Sequence, residues 1–304
     1  MLNHLSAADL RSLRVFASIA DSGGLAACEE RLNVSSSTIS TQLSTLEKRL
    51  GYRLCNRGRG GFSLTTRGKT VLDEYERLTG AIEGFCNRVN ELSDSVVGNL
   101  RLGLLDHTLT ESAFPITDIT RRFLELAPDA RIEIVHDVQT NLKRAIIEDR
   151  LDLSIGVFDT RSKLITSSKM HTETQSVYCG RHHPFFGMKR GAISRRKLEH
   201  VNWVSRGYSL GPHVRFPIAP MYSTATAANI EAVFMLIRAG HHVGYLPEHF
   251  AMPFEDNGDL RKIELANTSL QLDFYLIARS GREENVVMRT FRRAIAEIGS
   301  EHSA

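Results

Sequence analysis

Cysteine is scarce and scattered in this chain. Cys28, Cys55, Cys86 and Cys179 stand far apart and form no CxxC pair, which argues against a disulfide framework and against a zinc site. Their isolation suits a reducing compartment. Long apolar runs are also missing: no stretch reaches the roughly 18 apolar residues that a membrane span needs. The start, MLNHLSAADLRSLRVFASIA, lacks the basic-then-apolar order of a secretory signal. The expected localisation is therefore cytoplasmic, with no membrane partner. Internal repeats and low-complexity segments are absent as well. At 304 residues, 42% hydrophobic and 24% charged, the chain has room for two or three folded units and no signature of disorder.

Charge is where the chain departs from the ordinary. Residues 1 to 70 hold ten Lys/Arg against five Asp/Glu, so +5 sits in the head and −2 in the remainder of a chain whose total is +3. A basic head on a near-neutral body is what phosphate binding confined to one region produces, because condensed counterions are released only where the cations are.

Within that head, residues 34 to 68 read VSSSTISTQLSTLEKRLGYRLCNRGRGGFSLTTRG. Val34, Ile39, Leu43, Leu46 and Leu50 fall at helical spacing. Ser35, Ser36, Ser37, Thr38, Ser40 and Thr41 cluster at the helix start, as short donors and acceptors able to approach base edges. A glycine-broken basic hairpin follows, with Arg57 to Gly61 as its tip and Phe62 to Thr65 returning. Ahead of it, one helix is expected from about Asp9 to Ala20 and a short one from Leu25 to Leu32, separated by Ser22, Gly23 and Gly24. Ser35 is expected to cap the third helix. Together these elements predict a tri-helical, winged DNA-reading unit.

From about Thr66 to Ser93 a long helix carries Val71, Tyr75, Leu78, Ile82, Phe85, Val89 and Leu92 at alternating steps of four and three, a coiled-coil seam that implies a partner helix. After the linker SDSVVGN the period changes. Strands are predicted at Leu100–Leu104, Ile132–Val135, Leu153–Val157, Ser176–Cys179, Asn202–Val204, Val243–Leu246 and Leu272–Ala278. Helices are predicted around Ile119, Leu142 and Phe291 and over Thr226–Ala239. Such alternation predicts an α/β body with a parallel sheet.

The chain resembles the LysR-type transcriptional regulators over essentially its whole length, most strongly from residue 10 to 68. The resemblance rests on Leu10, Phe16, Ala17, Leu32, Val34, Ser35, Ser40, Gln42, Leu43, Leu46, Glu47, Leu50, Gly51, Leu54, Arg57, Leu64, Thr65 and Gly68, in order and without insertion. It implies a winged helix-turn-helix over 1–66, a dimerising linker helix and hinge over 67–97, and a two-lobed body over 98–304 shaped like periplasmic binding proteins. Lobe I would span about 98–171 and 273–304, and lobe II about 172–272. It also implies a homotetramer on an inverted-repeat operator, a DNA bend that changes when ligand closes the cleft, and RNA polymerase as a further partner. By position, Ser36, Ser37, Ser40 and Thr41 become base-edge contacts, while Gln42, Arg57, Arg59 and Thr65 face phosphates or the minor groove. The chain departs from the family at Cys28 and Glu29, usually two alanines, at Ser36 and Ser37, usually Gln-Pro, at Thr41, often Arg, and at Cys55, usually Phe. Base preference therefore does not transfer.

In a two-lobed α/β body, ligands sit where strand ends meet helix starts. The candidates are Asp106, His107, Thr108 and Thr110 after the first strand, Gln139, Thr140 and Asn141 after the second, and Phe158 after the third. Ser205, Tyr222, Thr224 and Thr226 are added from the second lobe, the last two just ahead of a helix, with Arg206 close by in the sequence. This mixture suits a small polar or anionic effector.

Enzyme motifs fail on inspection. Arg67-Gly68-Lys69-Thr70 imitates the end of a phosphate-binding loop, but Ser63 stands where its first glycine is needed. Glu248-His249 completes HxxEH only if residue 245 is His, and it is Tyr245. No catalytic residues, metal or cofactor are expected. Two alternatives stay open: a DNA-binding regulator without a ligand, and a cytoplasmic solute-binding protein.

Overall fold

The computed structural model describes residues 4–25, 28–29, 34–56, 62–90, 96–106, 114–208, 210–211, 214–218 and 220–301. It divides into two units, residues 1–83 and 84–304, each with its own core.

In the first unit, α1 (Ala7–Asp21) opens with a capping box. The Ser6 amide donates to Asp9 Oδ2 at 2.8 Å while the Ser6 hydroxyl accepts from the Asp9 amide. The helix starts two residues before the expected position, because the box recruits Asp9 into its first turn. Asp9 is buried, and Arg49 reaches it at 2.7 Å from α2 (Ser36–Leu50). Leu13, Phe16 and Ile19 of α1 meet Ile39, Leu43 and Leu46 of α2 in the core. Leu25, Cys28 and Glu29 are helical, and the rest of the expected second helix lies outside the described residues.

α2 ends at Gly51, whose φ of +84° is the left-handed conformation that an L side chain rarely adopts. Glu47 Oε1 then accepts from the Leu54 amide at 2.7 Å and the Cys55 amide at 3.3 Å, tying the helix to the first wing strand. The wing is a short antiparallel pair, β1 (Cys55–Asn56) and β2 (Ser63–Leu64); its expected tip lies outside the described residues. α3 (Thr66–Asn90) follows directly. A Cβ on Gly68 would stand 2.0 Å from the Leu54 carbonyl oxygen, so only glycine lets this helix start against the wing.

In the second unit the strands are β3 (Gly98–Leu104), β4 (Ala130–His136), β5 (Leu153–Gly156), β6 (Ile165–Gly180), β7 (Asn202–Arg206), β8 (Tyr222–Ala227), β9 (Val243–Pro247), β10 (Leu260–Lys262) and β11 (Leu270–Arg279). They form one sheet in the order β4-β3-β5-β11-β6-β9-β7-β8, with β10 paired to β6. β3 is parallel to β4 and β5, and β7 is parallel to β8 and β9. Each half is thus the expected parallel α/β arrangement. Between them, β6 and β11 run antiparallel to each other and to their outer neighbours, which makes the whole sheet mixed.

The sequence reading recovered only the last part of β6. After the buried Ile165, residues 166–170 are exposed or half-buried and show no apolar alternation, so hydrophobic period was silent there. Helices α4 (Ile116–Leu126), α5 (Gln139–Ile147), α6 (Arg195–Glu199), α7 (Ile230–Arg238), α8 (Glu248–Asp256) and α9 (Val286–Glu301) complete the body. Phe123 of α4 and Phe291 of α9 meet edge-to-face at 5.5 Å in the first half.

Candidate nucleic-acid interface and ligand pocket

α2 shows two faces. Ile39 and Leu43 are fully buried and Leu46 nearly so, whereas Ser37, Thr38, Thr41 and Thr45 are exposed on the other side. Ser36, Ser40 and Gln42 are half-buried at the flanks. Ser35 holds the N-cap position without a side-chain capping bond. Its hydroxyl lies 3.0 Å from Ser37 Oγ and 2.9 Å from Thr38 Oγ1 instead. The capping expectation is corrected by Glu29, whose Oε1 accepts from the Ser36 amide at 3.0 Å. A carboxylate at the positive end of the helix does this better than a hydroxyl. Glu29 had been noted only as a departure from the family.

Thr41 Oγ1 donates back to the Ser37 carbonyl at 2.9 Å, which leaves its oxygen lone pairs outward. Thr65 is corrected more firmly. Its hydroxyl donates to the Arg53 carbonyl at 2.9 Å and accepts from the Gly68 amide at 2.9 Å, so it fastens the start of α3 and has no proton for a phosphate. Arg57 and Arg59 lie outside the described residues.

In the body, His107, Thr108 and Thr110 also lie outside the described residues. Gln139 is buried at the start of α5, and Thr140 beside it is exposed. Phe158 is 2% exposed, yet it borders a groove of about 670 Å³ with Asp159, Arg161, Arg215, Asp273 and Tyr275. Ser205 and Arg206, at the end of β7, border a second cavity of about 310 Å³.

Tyr222, Thr224 and Thr226 border neither. They belong to β8, an edge strand parallel to β7, and the following helix begins only at Ile230 behind its cap Asn229. The run Tyr-Ser-Thr-Ala-Thr-Ala favours an extended strand, which is why the helix start expected at Thr226 is displaced. Thr224 Oγ1 is spent on His242 Nε2 at 3.1 Å.

The smaller cavity is walled by residues that the sequence reading did not single out: Trp203, Tyr208, Phe216 and Tyr245. Nothing in their spacing marked them, since a loop and two strands bring them together. Trp203 and Tyr245 lie 5.6 Å apart between ring centroids, and Phe216 and Tyr245 5.3 Å. Burial pushes the Tyr245 and Tyr208 phenols up to about 12, so both stay protonated.

Arg206 donates to Gln175 Oε1, Gln175 donates to Glu173, and Glu173 Oε2 lies 3.0 Å from His249 Nε2. Glu173 and Gln175 are each 2% exposed. The chain of contacts fixes the guanidinium at the cavity wall. Glu248, the other half of the false metal motif, binds Ser176 and Lys262 instead.

Two family profiles match the chain. The bacterial regulatory helix-turn-helix protein of the lysR family covers residues 10–69, and the LysR substrate binding domain covers residues 93–299. The transcriptional activator BauR of Pseudomonas aeruginosa is 30% identical over 97% of both chains. The SDS degradation transcriptional activation protein of a Pseudomonas species is 29% identical over 62% of each.

Among solved structures, the LysR family regulator CbnR aligns over 95% of this chain and 98% of its own, with a TM-score of 0.68 at 19% identity. AphB of Vibrio cholerae aligns over 95% and 98%, with a TM-score of 0.58 at 15% identity. These two likenesses establish the fold: an N-terminal helix-turn-helix and a two-lobed α/β body. With both profiles in order and a relative alike from end to end, the chain belongs to the LysR family of transcriptional regulators and is not an enzyme.

Proposed function

We propose that this regulator reads an inverted-repeat operator through α2 and the wing, and that a small anionic metabolite held by the two-lobed body sets the transcriptional outcome. The observation that carries the reading is the division of α2 into a buried apolar face and an outward hydroxyl face, followed by the antiparallel pair of β1 and β2. Ser36, Ser37, Ser40 and Thr41 would meet base edges. Gln42, Arg57 and Arg59 would meet phosphates.

The head would occupy 1–66, the linker and hinge 67–97, and the body 98–304, with lobe I over 98–171 and 273–304 and lobe II over 172–272. Ile82, Phe85 and Val89 of α3 are 43%, 61% and 47% exposed, on the seam predicted for a second helix. Their exposure supports dimerisation through α3, and a dimer of dimers would present heads to half-sites about one helical turn or a multiple apart. RNA polymerase is a further partner in this reading. No described helix is long and apolar enough to cross a membrane, and the proposed place of action is the cytoplasm.

Mobility-shift titrations over a range of salt, on the chain's own upstream DNA and on a scrambled fragment, test this. Tight, salt-steep binding to the first and weaker binding to the second is expected. Equal affinity for both would overturn operator reading.

A further inference from the structure

We infer that lobe II seats a small monocarboxylate with an apolar, ring-sized body in the cavity walled by Trp203, Tyr208, Phe216 and Tyr245, with Arg206 as its charge partner. The inference rests on the reading that the body senses a small molecule, and it names that molecule's class and seat.

The volume, about 310 Å³, is at the small end of ligand sites. Val204, Ile218, Pro220 and Val233 complete an apolar lining, and Arg206 is the one charged group among the described lining residues. Phe216 is 41% exposed, so the aromatic wall has an open side.

The polar atoms divide into spent and available. The Trp203 indole N–H donates to the Leu198 carbonyl at 2.7 Å, and the Tyr245 oxygen accepts from the Ile218 amide at 3.3 Å. Ser205 is paired with Ser223. Two groups remain. The Tyr208 hydroxyl is buried without a hydrogen bond of normal geometry, and the Arg206 guanidinium stands beside it, 5.9 Å over the phenol ring. Gln175 occupies one arm of a guanidinium that carries five donors.

This arrangement selects chemistry. A planar carboxylate can take two parallel N–H bonds from Arg206 and one O–H bond from Tyr208. A ring or branched alkyl body would fill the space against Trp203, Phe216 and Tyr245. An amine would meet the positive guanidinium. A dicarboxylate would bring a second charge that finds no further cation among the described lining residues, and burying it without one is costly.

Trp203 is the chain's single tryptophan, so the indole emission comes entirely from a residue of this cavity's wall. The test titrates the full chain with benzoate, phenylacetate and isovalerate, with succinate and benzyl alcohol as controls. A saturable change in emission with at least one monocarboxylate, and none with succinate, is expected. Arg206→Met should weaken that affinity about tenfold or more, the loss expected for a charge-assisted pair, and Tyr208→Phe should weaken it less. Val233→Phe, which fills the cavity from α7, should abolish the response and serves if Arg206→Met does not fold.

The inference is overturned if no monocarboxylate alters emission, if succinate or benzyl alcohol binds as well as the best of them, or if Arg206→Met binds as the parent does. Mobility shifts on the same preparations separate the two readings. Operator binding that persists while carboxylates fail removes this pocket and leaves the regulator intact.

Discussion

Asp106 Oδ2 accepts a hydrogen bond from the Ile230 backbone amide at 2.8 Å, joining residues 124 apart in the chain. Asp106 follows β3 in the first half of the sheet, and Ile230 opens α7 in the second half. A carboxylate therefore occupies the positive end of a helix on the far side of β6 and β11, and α7 also supplies Val233 to the aromatic cavity. Asp106→Ala is expected to destabilise the protein by about 1 to 2 kcal/mol, because the Ile230 amide loses a charged acceptor. Asp106→Asn, which keeps an acceptor, should cost less. Urea unfolding at neutral pH checks the order, and equal losses in the two variants would contradict it.

The head variants should separate into three behaviours. Ser37→Leu, on the exposed face of α2, should disturb sequence preference, since each good base contact discriminates by about 1 to 3 kcal/mol. Arg59→Ala should instead reduce the salt slope of binding by about 1 on every sequence. Thr65→Val should leave the salt slope alone and lower stability by about 1 kcal/mol, because it removes the cap on the Gly68 amide. Salt titrations on matched and scrambled DNA, with thermal unfolding beside them, distinguish the three.

Asp152 is 2% exposed and bound by two guanidiniums, Arg101 Nη2 at 2.9 Å and Arg282 Nη2 at 2.8 Å. Burial pushes its carboxyl up, but the Arg101 hydrogen bonds and both positive charges outweigh this and hold it below the usual value. A depressed folded value means that its contribution is complete above the unfolded value of about 3.9. That contribution is lost as pH falls through the folded value. Asp152→Asn leaves Arg101 facing a neutral partner and Arg282 with its 3.4 Å contact to Asp149, and should cost about 3 kcal/mol at pH 7. Denaturant midpoints at pH 7 measure it, and a loss under 1 kcal/mol would show that the two arginines find other partners.

His183 is 6% exposed, and its Nδ1 accepts from the Phe185 amide at 3.1 Å. Burial, with help from His241 and His242, lowers its pKa to about 4. The unfolded chain takes up this proton near pH 6.5 and the folded one only near pH 4, so stability falls as pH drops between those values. At pH 5 the imidazole should account for about 2 kcal/mol of the acid-induced loss. His183→Asn keeps an acceptor for Phe185 and removes the titration, so its unfolding free energy should change less between pH 7.5 and pH 5. An unchanged difference would assign the acid sensitivity to other groups.

Much of the head was legible because its signals are local. The apolar stripe of Ile39, Leu43 and Leu46, the break at Gly51 and the long helix α3 each follow from signals within a few turns of chain. The hydroxyls of Ser35 and Thr65 misled the reading: a capping residue and a DNA contact have the same composition, and only their partners tell them apart. In the body, β5, β9 and α5 followed from apolar runs or helical spacing. β8 and the first part of β6 did not, because exposed polar strands carry no hydrophobic period.

Reading order alone was enough to indicate that this chain builds a basic helix-turn-helix head, a long linking helix and an α/β body, since helical and strand periods and family spacing are properties of neighbours in sequence. The aromatic cavity required folding to be seen. Trp203, Phe216 and Tyr245 share one wall, Arg206 takes its direction from Gln175 and Glu173, and Asp106 meets Ile230 only because β6 and β11 carry the chain between the two halves of the sheet. Contacts between residues tens to more than a hundred positions apart leave no periodic trace in a one-dimensional string, and it is those contacts that give the cavity its charge and shape.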